Sequence, residues 1–117
     1  MHALIIEDHK EIGEIYLMAL RMMDIDGEHI VDGKMALHRL EQSVPDFIIL
    51  DMNLPQVSGH YIYKNIRADS RLDKSPVIIC TANTVLARAL ENELADGDII
   101  LVKPVSPQQL QEVVRGL

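Results

Sequence analysis

Three carboxylates, a hydroxyl and an amine stand where short apolar runs stop. "ALII" (3–6) is followed by Glu7 and Asp8, "FIIL" (47–50) by Asp51, "VIIC" (77–80) by Thr81, and "IILV" (99–102) by Lys103. An uninterrupted apolar run of this length reads as a strand buried on both faces. A lone charge at the end of such a strand costs several kcal/mol to desolvate, so Asp51 needs a cation, a partner or a chemical task. If the strands are neighbours, the three carboxylates converge, and such a cluster must be protonated or neutralised. Oxygen donors with room for water suit Mg²⁺, which keeps several waters and shares a phosphate. With the Thr81 hydroxyl and the Lys103 ammonium, these are the parts that a phosphoryl group requires. Each has a plainer reading alone: solvated loop starts, a helix cap at Thr81, a surface lysine. That account must hold at four strand ends at once.

The elements between these runs have helical periodicity. "KEIGEIYLMALRMM" (10–23) spaces Ile12, Ile15, Ala19 and Met22 on one face, and "GKMALHRLEQS" (33–43) offers Ala36, Leu37 and Leu40. "GHYIYKNIRA" (59–68) offers Ile62 and Ile66, and "TVLARALENELA" (84–95) offers Leu86, Leu90 and Leu94. The last helix opens on Ser106 as N-cap, Pro107 in the first turn and Gln109 as capping partner. Leu110, Val113, Val114 and Leu117 then form its apolar stripe. The weakest strand, expected over 26–31 in "DGEHIV", places Gly27 and Glu28 where apolar residues would help and so reads as an edge. The βα alternation implies an α/β fold with a parallel sheet and right-handed crossovers. In such sheets ligands bind beyond the carboxyl ends of the strands.

Composition narrows the class. The 117 residues suit one domain over 1–117, and 48% hydrophobic with 25% charged residues is a globular balance. The apolar runs are far shorter than the ~20 residues needed to span a bilayer, and no signal peptide opens the chain. A net charge of −7 argues against direct nucleic-acid binding. The single cysteine, Cys80, sits in an apolar run and reads as a buried core residue in a reducing, cytoplasmic setting. His2, His9, His29, His38 and His60 lack metal-ligand spacing and read as surface groups, with His9 next to the acidic pocket and able to touch a partner. Met18, Met22 and Met23 read as a core or partner-facing stripe, with core packing preferred. Tyr61 and Tyr63 cannot both face the core of their helix, so at least one is expected to be exposed.

Taken in order, the "ED" after strand one, "DMNLPQVSG" (51–59), "TAN" (81–83) and "KP" (103–104) resemble the receiver domain of bacterial two-component response regulators, from Leu4 to about Val114. The resemblance implies a flavodoxin-like doubly wound (βα)5 sheet of order 2-1-3-4-5. It implies that Asp51 is the phosphoacceptor, taking a phosphoryl group from a histidine kinase or histidine phosphotransfer protein. Glu7, Asp8, Asp51 and the backbone carbonyl of Asn53 would hold Mg²⁺, and Lys103 would offset phosphoryl charge. The family's Lys-Pro peptide is cis, so Lys103–Pro104 is expected to be cis, while Pro55 and Gly59 would shape the loop. Thr81 would move towards the phosphoryl group and alter the face of helix four, strand five and helix five for a downstream protein target. Asn53 and Asn83 occupy the positions that tune phosphate lifetime. The family's inward-turning aromatic is Ile100 here, a departure that puts the rotamer half of its switch in question.

The leading expectation is a stand-alone, phosphorylatable receiver that signals by protein contact, as a monomer or weak homodimer, catalysing only its own phosphoryl transfer and dephosphorylation. A receiver-fold interaction module acting without phosphorylation is the first alternative, and the loss of the aromatic at Ile100 keeps it open. A haloacid-dehalogenase-type phosphohydrolase is the second. It needs a general acid two residues after its nucleophile, and Asn53 cannot serve.

Overall fold

A computed structural model describes residues 1–117. Five strands, β1 (His2–Ile6), β2 (Asp26–Ile30), β3 (Phe47–Asp51), β4 (Val77–Thr81) and β5 (Ile99–Val102), form one parallel sheet in the order β2-β1-β3-β4-β5. The helices are α1 (Lys10–Arg21), α2 (Gly33–Gln42), α3 (Gly59–Ala68), α4 (Thr84–Glu91) and α5 (Pro107–Arg115), and a 3-10 turn spans Ser70–Leu72. The expected sheet order, with β1 and β3 adjacent, is the one observed.

Two cores flank the sheet because alternate strand residues point to opposite faces. Leu4, Ile6, Ile48, Leu50 and Ile79 meet α2, α3 and α4 through Leu40, Ile62, Ile66 and Leu90. Ala3, Ile5, Phe47, Ile49 and Ile78 meet α1 and α5 through Tyr16, Leu20, Leu110 and Val114. Every residue of β3 and β4 is buried, including Asp51 and Thr81 at their ends. A central parallel strand has this two-sided burial.

The edge strand β2 is stabilised locally. Gly27 leaves room for Leu17, whose Cδ2 would lie 2.8 Å from a Cβ there. Glu28 pairs with Arg39 of α2 at 2.8 Å. Ser58, Asn83 and Ser106 accept hydrogen bonds from Tyr61 N, Leu86 N and Gln109 N, which caps α3, α4 and α5.

Several packing expectations are corrected. On α1 the buried residues are Gly13, Tyr16, Ala19 and Leu20, whereas Ile15, Met18 and Met22 are exposed at 45%, 63% and 79%. Of the three methionines only Met23 packs against the core. The helix is apolar around much of its circumference, so periodicity admits two stripes. The neighbouring His29 ring fills the space where a Gly13 Cβ would stand, which turns the Gly13–Tyr16 side to the sheet. Helix α4 ends at Glu91, short of residue 95, because the Tyr63 hydroxyl captures Ala95 N at 3.0 Å. Leu117 lies beyond α5 and is exposed. Tyr61 is exposed and Tyr63 buried, as their spacing requires. No helix is long and apolar enough to cross a membrane.

Candidate functional site

The carboxyl ends of β1, β3, β4 and β5 bring the sequence-predicted groups to one rim. Glu7 follows β1 and is 1% exposed, while Asp51 closes β3 at 2%. Lys103 follows β5, and its backbone N–H donates to Thr81 O at 2.9 Å, so the sheet ladder itself carries the lysine to the rim. The Lys103–Pro104 peptide is cis, as expected. Lys103 Nζ donates to Glu7 Oε1 at 2.9 Å and lies 3.2 Å from Asp51 Oδ1. It thus bridges the two buried carboxylates. Asp51 Oδ1 also accepts from Asn53 N at 3.1 Å.

These contacts leave the site short of positive charge. Asp51 Oδ2 and Asp8 Oδ1 are buried and accept no hydrogen bond. Three carboxylates facing one ammonium retain two negative charges, which a divalent cation would match. Burial, and then the adjacent Glu7 carboxyl, raise the Asp51 pKa above its ordinary value. For Lys103, burial works to lower the pKa, but the hydrogen bond to Glu7 and the charge on Asp51 outweigh it and raise the pKa. The donor set and its unpartnered oxygens therefore fit a hard divalent ion. Glu7, Asp8 and His9 offer ligand atoms within 4.8 Å of one another.

The remaining predicted residues take supporting positions. Thr81 is buried, and its Oγ1 accepts from Asn83 N at 3.1 Å. Asn83 side-chain oxygen is engaged as the α4 N-cap. Asn53 is exposed at the rim. Gly59 is needed for close approach: a Cβ there would stand 2.5 Å from Asp51 O and 2.5 Å from Met52 Cα. Its N–H donates to Met52 O at 3.2 Å, which folds the loop back onto the end of β3. Pro55 is exposed, and its carbonyl accepts from Val57 N at 2.7 Å across Gln56, which has a φ of 66°. Ile100 is half-buried and packs against the core on the α2–α4 side.

Three contributions escape a reading of the sequence. His29, expected at the surface, is half-buried and places Nε2 2.6 Å from Glu7 O, bracing the turn that carries Glu7. Gly13 is the only local sign of it. Tyr16 and Cys80 meet beneath the site, and burial raises both pKa values, Cys80 to about 12. Cys80 is therefore an inert buried thiol, as its apolar run suggests. At the opposite end of the sheet, Asp98 accepts from Tyr63 Oη at 2.6 Å and Val77 N at 2.8 Å, and Arg67 Nε lies 3.1 Å away. No spacing rule links residues so far apart.

Comparison with known proteins agrees with this fold. The family model for the response regulator receiver domain matches residues 3–115. A probable transcriptional regulator, ycf27 of Guillardia theta, is 32% identical over 97% of this chain and 44% of its own length. The probable methanogenesis regulatory protein FilR2 of Methanothrix harundinacea is 31% identical over 97% of this chain and 79% of its own. The chain thus spans less than half of the first of these relatives and most of the second. Among solved structures, the chemotaxis response regulator CheY4 of Vibrio cholerae superposes with a TM-score of 0.88 at 25% identity, covering 98% of this chain and 96% of that one. The Francisella response regulator 1452 receiver domain gives 0.84 at 27% identity, over 97% and 93%.

Proposed function

Because the chain belongs to the response regulator receiver domain family, we propose that it accepts a phosphoryl group on Asp51 in a Mg²⁺-dependent reaction. Receivers are signalling domains rather than conventional enzymes. One observation carries the specific reading: a buried carboxylate oxygen, Asp51 Oδ2, has no hydrogen-bond partner at a rim that also holds Glu7, Asp8 and Lys103.

In the step envisaged, an Asp51 carboxylate oxygen attacks the phosphorus of a phosphohistidine on a histidine kinase or phosphotransfer protein. The P–N bond breaks, and its electron pair leaves with the imidazole. Lys103 Nζ, already beside Asp51, exchanges a carboxylate contact for one to a phosphoryl oxygen. The hydrogen bond from Asn53 N holds the attacking carboxylate in orientation. Asp8, Asp51 and the backbone carbonyl of Asn53, with Glu7 behind them, would hold a Mg²⁺ that supplies positive charge to the equatorial oxygens. Thr81, with its hydroxyl bound only to the following turn, would reorient towards the new group and carry α4 with it. That shift would present the α4–β5–α5 face to a protein target. We read the setting as cytoplasmic and the chain as acting through protein contact.

Intact mass after incubation with acetyl phosphate and Mg²⁺ tests this. One added phosphoryl group is expected, absent from Asp51→Asn and from a metal-free sample. No gain, together with no response to beryllofluoride and Mg²⁺, would sink the reading. Ile100 in place of an aromatic favours a second one, a receiver that binds its partner constitutively. Undiminished partner binding by Asp51→Ala would support it.

A further inference from the structure

His9 departs from an all-oxygen metal site. It is the residue before α1, its side chain makes no capping bond, and its ring is 62% exposed. Instead of turning to solvent, Nδ1 points back into the acidic rim, 3.2 Å from Asp8 Oδ1 and 3.6 Å from Glu7 Oε2. The Asp8 contact is not aligned as a hydrogen bond, since Asp8 Oδ1 remains unpartnered. Ligands bound to one ion at about 2.0–2.2 Å stand roughly 3–3.6 Å apart, so these separations suit donors sharing an ion. The second carboxylate oxygen lacking a donor, Asp51 Oδ2, belongs to a side chain only 2% exposed, which shares Lys103 with Glu7.

We propose that His9 is a nitrogen ligand that biases this site towards later first-row transition ions, such as Co²⁺, Ni²⁺ or Zn²⁺, relative to Mg²⁺. The inference rests on the metal-assisted reading above and adds a selectivity to it. Carboxylate, carbonyl and water ligands suit Mg²⁺, whereas imidazole suits the later ions, whose affinity for a given site also rises along the first row. Nδ1 coordination would leave Nε2–H outward, where 62% exposure allows water to hydrogen-bond it. The carboxylates keep the site usable by Mg²⁺, so His9 sets a preference and excludes neither ion.

The test is calorimetric titration with CoCl2 and with MgCl2 on the full chain, for wild type, His9→Gln and Asp8→Asn. Proton NMR of the Co²⁺-loaded protein supplies a second readout. His9→Gln should narrow the Co²⁺-over-Mg²⁺ preference about tenfold and remove a paramagnetically shifted, exchangeable imidazole N–H resonance. Asp8→Asn should weaken both ions, which separates this site from the exposed histidines. An unchanged preference with no shifted imidazole proton, while Mg²⁺ still binds, would overturn the role of His9 and leave the metal-assisted reading intact. Failure of both ions to bind wild type would overturn both.

Discussion

Two buried aspartates at opposite ends of the sheet are treated very differently. The Asp98 side chain is 1% exposed, and both oxygens are engaged: Oδ1 by Val77 N, Oδ2 by the Tyr63 hydroxyl, with Arg67 Nε alongside. Arg67 is itself spread over carbonyls, donating to Leu72 O and Ser75 O. The Asp51 side chain is 2% exposed, yet Oδ2 has no donor and Oδ1 shares a lysine with Glu7. Equal burial with unequal satisfaction separates a carboxylate that holds the fold together from one whose proposed role is chemical. The first ties α3, the start of β4 and the loop before β5 into one unit. The second keeps an oxygen without a donor at the rim where Glu7 and Lys103 also stand. Strain of this kind persists where the surroundings over-determine it.

The sharpest way to break the contrast is to remove each carboxylate. Asp98→Ala leaves Arg67 buried without its counter-charge and should destabilise by about 3–5 kcal/mol, the usual cost of breaking a buried pair from one side. Urea unfolding would show it, and a loss near zero would dissolve the distinction. Gly59→Ala sits on the other side of the comparison. Its methyl would press on Asp51 O and Met52, both backbone, with an expected cost of about 1–3 kcal/mol and a loss of Mg²⁺ affinity, read by urea unfolding and calorimetry.

Asp51→Asn should have the smallest effect and the opposite sign. Because the folded state raises the Asp51 pKa, it binds more protons there than the unfolded chain. Stability from this group is present in full below the ordinary carboxylate value of 3.8 and is lost as pH rises through the higher folded pKa. The amide removes that loss, so the variant should be the more stable of the two at pH 7, with the advantage vanishing near pH 3. Saturating Mg²⁺ at about 100 times its Kd should add about 2.7 kcal/mol to wild type and much less to the variant, reversing their order. A wild type that is the more stable of the two without metal at every pH would contradict the assignment of strain to Asp51.

Much of this is legible in the sequence. Four apolar runs ending in Glu7, Asp51, Thr81 and Lys103 sufficed to place a site at the strand ends, because the pattern is local and the burial of a parallel strand leaves few readings. Ser106, Pro107 and Gln109 set the start of α5 by the same local logic, and Gly27 and Glu28 marked β2 as an edge. The fate of α1 was not legible. Ile12, Ile15 and Met22 satisfy helical spacing as well as Ile12, Tyr16 and Met23 do, and only the docking of His29 over Gly13 selects the second set.

Residue order along this chain therefore determined which groups end each strand, where helices begin, and that carboxylates, a hydroxyl and an amine share one rim. The tertiary structure alone decided how they satisfy one another. Lys103 reaches Glu7 across 96 residues of sequence, and Asp98 reaches Tyr63 across 35. Such contacts are set by sheet order and strand register, which bring distant backbone together within a few ångströms. Whether a buried carboxylate ends with every lone pair engaged or with one left over is a property of that assembled environment, not of the residue or its neighbours in sequence.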